Sequence, residues 1–234
     1  MKRTLLILLF LCSNISFAQN KSVYSKKLSA QEVNTIFSGA LKKNLKIEYA
    51  INKVYEFNDN LGKHYLVLTV KESKCGNEFV KCNNAIKAYC ITYKNNKYTL
   101  KWNLNDFILP NGNEVSEEFT ISFWTKFLNL SDVDANGIID PIIVYGTKGL
   151  NGFGDGRVKI VVYNNGKKFV IRHQNGISDY DRITKVDAGF YQLPSKIQRR
   201  VKEIIENLIK DKNVIFPYNW QNDMKEKELV IDEF

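Results

Sequence analysis

The chain of 234 residues contains only two histidines, four cysteines and four prolines. No two cysteines stand at the two-residue spacing of a zinc knuckle, and both histidines are distant from them, which argues against a structural zinc. Beyond residue 18 no apolar run approaches the ~20 residues of a membrane helix, so no membrane span is expected. No Ser/Pro-rich linker divides the chain, so a single domain is expected. No nucleic-acid-binding motif is present. The glycine-rich stretch with Gly149, Gly152, Gly154 and Gly156 leads into strand-like Arg157–Tyr163. A phosphate cradle needs a helix there, and the stretch reads instead as a mobile loop beside the acidic loop at 132–140.

At the N-terminus, Lys2 and Arg3 precede a short apolar core from Leu5 to Leu11, and Ser16-Phe17-Ala18 places small residues before a cut at Gln19. Residues 1–18 read as a secretory signal peptide. Cys12 raises a lipoprotein alternative, but Leu11 is large for the position before a lipidated cysteine. The remainder, 19–234, is long enough for one sizeable core. It is expected to be exported, either periplasmic or on the cell surface. The formal net charge of +9 loses two units with the leader. A basic surface attracts acidic glycans, nucleic acid and phosphorylated headgroups. Export disfavours nucleic acid, and the plain alternative is a solvated lysine-rich face.

The most specific local signal is Asp132-Val133-Asp134-Ala135-Asn136-Gly137-Ile138-Ile139-Asp140. Oxygen-bearing side chains fall at positions 1, 3, 5 and 9, with glycine at position 6. A hard cation such as Ca2+ takes ~6–8 oxygens. Asp132, Asp134, Asn136 and Asp140 would supply side-chain oxygens and Ile138 its backbone carbonyl. The bidentate Glu of a helical EF-hand is replaced by Ile143 at position 12. The loop is similar to the calcium loops of integrin-type propeller repeats, in which a strand follows, and Pro141–Tyr145 reads as one. One copy argues against a repeated propeller. The alternative is a plain turn of turn-favouring residues.

After processing, three cysteines remain. Cys75 and Cys82 flank a short loop and are expected to pair in an oxidising compartment. Cys90 lies in a strand pattern and reads as a small core hydrophobe. Ser29 and Glu32 form a capping box for a helix carrying Val33, Ile36, Phe37, Ala40 and Leu41. Alternating segments near 46–57, 64–70, 86–93, 97–102, 118–127, 157–163 and 168–173 read as strands, with Asn95-Asn96 and Asn165-Gly166 as hairpin turns. Ser195 and Gln198 suggest another capping box opening a final helix with Ile197, Val201, Ile204, Ile205, Leu208 and Ile209. The expected fold class is α+β: an antiparallel β-sheet meander with an N-terminal and a C-terminal helix. The tail from Asp211 carries Phe216-Pro217-Tyr218-Asn219-Trp220, which is expected to pack back on the sheet, while the last, charged residues are expected to fray.

The densest polar cluster outside the acidic loop is Arg172 to Arg182. His173 has acid–base equipment and Asp179 or Asp181 would orient it. Arg172 and Arg182 would grip a carboxylate or phosphate. The plainer alternative is a polar loop closed by hydrogen bonds. His64, with only Asp59 as an acidic neighbour, reads as structural.

The run Asp132–Thr147, with Gly156–Ile160 and Ile171–Gly176 behind it, resembles a family of small exported bacterial proteins known as surface polysaccharide biosynthesis proteins. The similarity covers mainly residues 115–210. It implies a role at the cell envelope and brings no reaction or catalytic residues with it. The leading expectation is a calcium-stabilised, non-catalytic envelope protein whose partner is an anionic surface polysaccharide. The competing ones are an envelope glycan hydrolase or transferase using His173, and a module that binds or inhibits another envelope protein.

Overall fold

The computed structural model describes residues 23–75, 80–108, 118–149, 152, 154 and 156–233, with backbone alone at 74, 75, 80 and 81. The expected signal peptide lies outside the described residues. Among those described are twelve strands and four α-helices in two antiparallel sheets. The first sheet runs in chain order through β1 (Tyr24–Lys27), β2 (Ala50–Asp59), β3 (Gly62–Cys75), β4 (Val80–Lys94) and β5 (Lys97–Phe107). The second contains β6 (Glu118–Phe123), β7 (Asn129–Ser131), β8 (Asp140–Gly149), β9 (Arg157–Asn164), β10 (Lys167–Gln174), β11 (Ile183–Val186) and β12 (Val230–Ile231). There β8 to β12 are also neighbours in chain order, while β6 and β7 share the far side of β8. The fold is thus α+β, two meanders with helices at both ends of the chain.

The side-chain period of two stacks these sheets into layers. Leu66, Leu68, Ile86, Ala88 and Cys90 of the first sheet meet Ile143, Tyr145, Val161 and Tyr163 of the second. The alternate residues Ile142, Val144, Val158, Ile160 and Val162 face the opposite way, into a core with Ile197, Val201, Ile204, Ile205 and Leu208. Those five belong to α3 (Ser195–Lys210). Tyr65, Val67, Tyr89 and Ile91 face outward under Leu28, Phe37 and Leu45, which bracket α1 (Ala30–Ile36) and α2 (Gly39–Asn44). The order of layers is helix, sheet, sheet, helix. Strands buried on both faces read as near-continuous apolar runs rather than clean alternation, as in Pro141-Ile142-Ile143-Val144-Tyr145.

Local chemistry explains the joints. Asn95 and Asn96 have φ of 51° and 57°, Asn165 and Gly166 48° and 75°, the left-handed pairs that tight hairpins require. The Ser29–Glu32 capping box is formed. The single N-terminal helix expected from the sequence is two helices, because Ser38 caps a second one and Phe37 ends the first. The expected Ser195–Gln198 box is absent: Pro194 is the N-cap of α3, and Gln198 donates to the Leu193 carbonyl at 2.7 Å. The tail packs back as expected, with Phe216 and Trp220 buried in the outer core, Trp220 opening α4 (Trp220–Glu226); near the end, strand β12 forms where fraying was expected, since Ile231 is buried. The glycine-rich stretch is not beside the acidic loop as expected: it leaves β8 at Gly149, whereas the acidic loop enters β8 at Asp140, so the two lie at opposite ends of that strand.

Candidate metal centre

The acidic loop closes on itself through its own carboxylates. Asp132 accepts the Asn136 and Gly137 amides at 2.9 and 2.7 Å, and Asp140 accepts the Val133 amide at 3.2 Å. Ala135 and Gly137 take left-handed φ of 67° and 83°. Any side chain at Gly137 would collide with Asn60, whose Nδ2 lies 1.9 Å from the position of a Cβ. These turns bring one carboxylate oxygen each of Asp132, Asp134 and Asp140 within 4.8 Å of one another. Asp140 is fully buried. Burial raises its carboxyl above the usual range, Asn164 opposes this by donating at 2.8 Å, and the charges of Asp134 and Asp132 reinforce it.

An all-oxygen set of clustered carboxylates, one of them buried, has the chemistry of a hard-cation site. The residues therefore fit Ca2+, with Asp132, Asp134 and Asp140 as the converging groups. The Asn136 oxygen accepts the Ile138 amide at 2.8 Å, and its nitrogen donates to Asp134 at 3.0 Å. Ile138 directs that amide to Asn136 and also lines the cavity between the sheets.

The loop is clamped between the two sheets. The β2–β3 turn holds it from one side, where Asp59 accepts the Ile139 amide at 3.1 Å and the Asn60 amide donates to Gly137 at 2.9 Å. Lys196 of α3 donates to the Asp134 carbonyl at 3.3 Å. Asp59 also accepts from His64 Nε2 at 3.3 Å and from the Leu61 amide at 2.8 Å. In sequence 58–62 read only as a turn. Its role as a platform depends on partners eighty residues away, for which the chain carries no local signal.

The Arg172–Arg182 cluster does not assemble an acid–base pair. His173 is buried and stacks on Phe216 with centroids 4.3 Å apart. Its Nε2 donates to Asn175 Oδ1 and its Nδ1 accepts from the Thr184 hydroxyl, both at 2.8 Å. Burial lowers its pKa to about 4. Both ring nitrogens are thus committed, to partners other than Asp179 and Asp181. Arg182 pins the neighbouring turn through the Gly176 and Ile177 carbonyls, Asp179 and Glu233. Arg172 pairs with Asp187 at 2.6 Å. The two arginines hold different partners rather than one common anion.

Cys90 is buried and free, its thiol pushed up to about 12 by burial, so it is a core residue rather than a nucleophile. Cys75 stands opposite Val80 and Cys82 opposite Ser73 on the β3–β4 ladder. This makes the two cysteines diagonal neighbours, while the side chain of Cys75 lies outside the described residues.

A separate groove of about 490 Å³ lies where the end of α2 meets β4 and β5. Lys46, Lys87 and Lys97 line it with Tyr89 and Tyr98, against one carboxylate, Glu48. Lys87 pairs with Glu48 and lies 5.0 Å from the centre of the Tyr49 ring. No helix among the described residues is long and apolar enough to cross a membrane. The chain matches no protein-family model, no curated protein and no solved structure.

Proposed function

We propose that the chain is an exported, non-catalytic envelope protein that binds an anionic glycan in support of surface polysaccharide biosynthesis, with Ca2+ stabilising the 132–140 loop. The observation that carries this reading is the basic, tyrosine-bearing groove between α2, β4 and β5. Lysines attract carboxylated sugars through charge, and the half-buried ring of Tyr98 offers amphipathic surface to pack on them, with buried Tyr89 as the floor beneath. Calcium has a structural part here. It would neutralise Asp132, Asp134 and Asp140 and hold the loop between the sheets. A catalytic role for His173 has no supporting geometry, since the ring is enclosed and both nitrogens are satisfied.

Titration calorimetry with hyaluronan fragments, and with neutral dextran as control, tests the glycan reading. Hyaluronan should bind, weaken as salt rises, and lose about tenfold in affinity when Lys46 and Lys97 are both changed to Glu. Equal heats from hyaluronan and dextran would remove the charge-based reading. Calcium has its own test in thermal melting. Extracellular sites bind at ~10⁻⁴–10⁻³ M, and calcium at ten to a hundred times Kd should add roughly 1.4–2.7 kcal/mol of stability. Asp132→Ala with Asp134→Ala should abolish that gain. An identical melting point in calcium and chelator would sink the metal assignment.

A second reading, a module for another envelope protein, is favoured by one observation. Strand β5 is an eleven-residue edge strand with Leu100 and Phe107 exposed, and an extended partner segment adds to such an edge. Absence of heat from hyaluronan, together with a defined protein complex blocked by Leu100→Pro, would favour it over the glycan.

A further inference from the structure

We propose that Glu48 is a built-in competitor in the basic groove, and that it makes the groove selective for oligosaccharides with several carboxylates over a single sugar acid. This inference rests on the glycan reading of that groove. Its starting point is a lopsided charge. Residues 19–108, which span the first sheet and its cover, contain 15 lysines, no arginine and seven acidic residues. Residues 109–234 contain 17 lysines and arginines against 18 acidic residues. The net positive charge therefore belongs to the first sheet, where it concentrates anions. Against that background the groove carries one carboxylate, Glu48.

The three groove lysines are not equivalent. Lys46 and Lys97 are exposed. The Lys87 side chain is only 20% exposed, and Glu48 reaches it at 2.5 Å. The backbone that carries Glu48 is fixed from below: the Tyr89 hydroxyl donates to the Lys46 carbonyl at 3.2 Å and accepts the Glu48 amide at 3.4 Å. The Glu48 carboxylate itself stands in water, with its side chain 57% exposed, so it can leave Lys87 without moving that wall. An ion pair so open to solvent contributes little net stability, and a ligand carboxylate has the same chemistry as the one it would replace. A single sugar acid gains nothing at Lys87, because it only exchanges one carboxylate for another. An oligosaccharide already held by Lys46 and Lys97 presents its next carboxylate at high effective concentration, and that local excess displaces Glu48.

Calorimetry on the full chain with a hyaluronan hexasaccharide and with glucuronate tests this. The hexasaccharide should bind at least about tenfold more tightly than glucuronate. Glu48→Gln, an isosteric change at an exposed position, should tighten the hexasaccharide about fivefold, the scale of one exposed ion pair. In a Lys87→Met background the same change should have no effect, because the competition needs both partners. Equal affinities for the two ligands, or no gain from Glu48→Gln, would overturn the proposal. So would a gain that persists undiminished beside Lys87→Met, since the lost charge would then act on the groove as a whole. Each of these results leaves the glycan reading standing. A hexasaccharide that binds neither the native chain nor Glu48→Gln at millimolar concentration removes both.

Discussion

The two sheets share a central core and an antiparallel order, yet they are covered very differently. The second sheet lies under α3, sixteen residues long with five buried, and under α4 with Trp220 and Met224. The first lies under α1 and α2, seven and six residues long, neither with a fully buried residue. Its outer layer is held by Leu28, Phe37 and Leu45 at the helix ends. Helices this short gain little from their own hydrogen bonds, and packing of the apolar face decides their stability. The thick cover makes the C-terminal half the structural anchor. The thin cover leaves β4 and β5 accessible at the basic groove.

The same contrast recurs in the two histidines. His64 in β3 bonds Thr92 on the next strand and Asp59 in a turn, and stacks on Phe57 at 5.0 Å. His173 in β10 bonds Thr184 on the next strand and Asn175 beyond the strand end, and stacks on Phe216 at 4.3 Å. A carboxylate stands beside the first ring and a carboxamide oxygen beside the second. Burial makes His173 resist protonation and lowers its pKa to about 4.

The largest expected effect strikes the anchor. Ile205→Ala, at a fully buried position of α3, should cost about 3–5 kcal/mol through lost burial and the cavity left behind. Ile36→Ala, half-buried in α1, should cost under about 1.5 kcal/mol. Chemical denaturation of the two variants measures the difference, and equal losses would break the comparison between the covers.

The next effect follows pH. Folded His173 takes its proton only near pH 4, whereas an unfolded histidine takes it near ~6.5. Between those values the unfolded chain binds more protons, so stability is full above about pH 6.5 and falls as pH drops towards 4. The loss attributable to this ring is roughly 3 kcal/mol. Denaturation midpoints at pH 7 and 4.5, for the native chain and His173→Gln, should show a steeper fall in the native chain. Parallel curves would mean that the ring titrates freely.

The smallest effect belongs to the thin cover. Ser29→Ala removes the cap that accepts the Glu32 amide and should cost about 1 kcal/mol, detectable as faster amide exchange through α1. Unchanged exchange would show that Leu28 and Phe37 alone hold the layer.

Much of this was legible in the chain. The strands, the Asn95-Asn96 and Asn165-Gly166 turns, the Ser29 cap and the apolar stripe of α3 are written in local patterns of two to sixteen residues, because backbone sterics and side-chain period act over that range. The acidic loop was legible for the same reason, since its carboxylates turn back on amides only two to seven residues away. Other features were decided only when distant segments met. The stacking of two sheets, the Asp59–Asn60 platform under the loop, the cover of His173 by Phe216, and the Trp102–Tyr163 stack all join residues tens of positions apart. Burial and close approach come from the whole packing arrangement, and no short stretch of sequence encodes which partner will arrive.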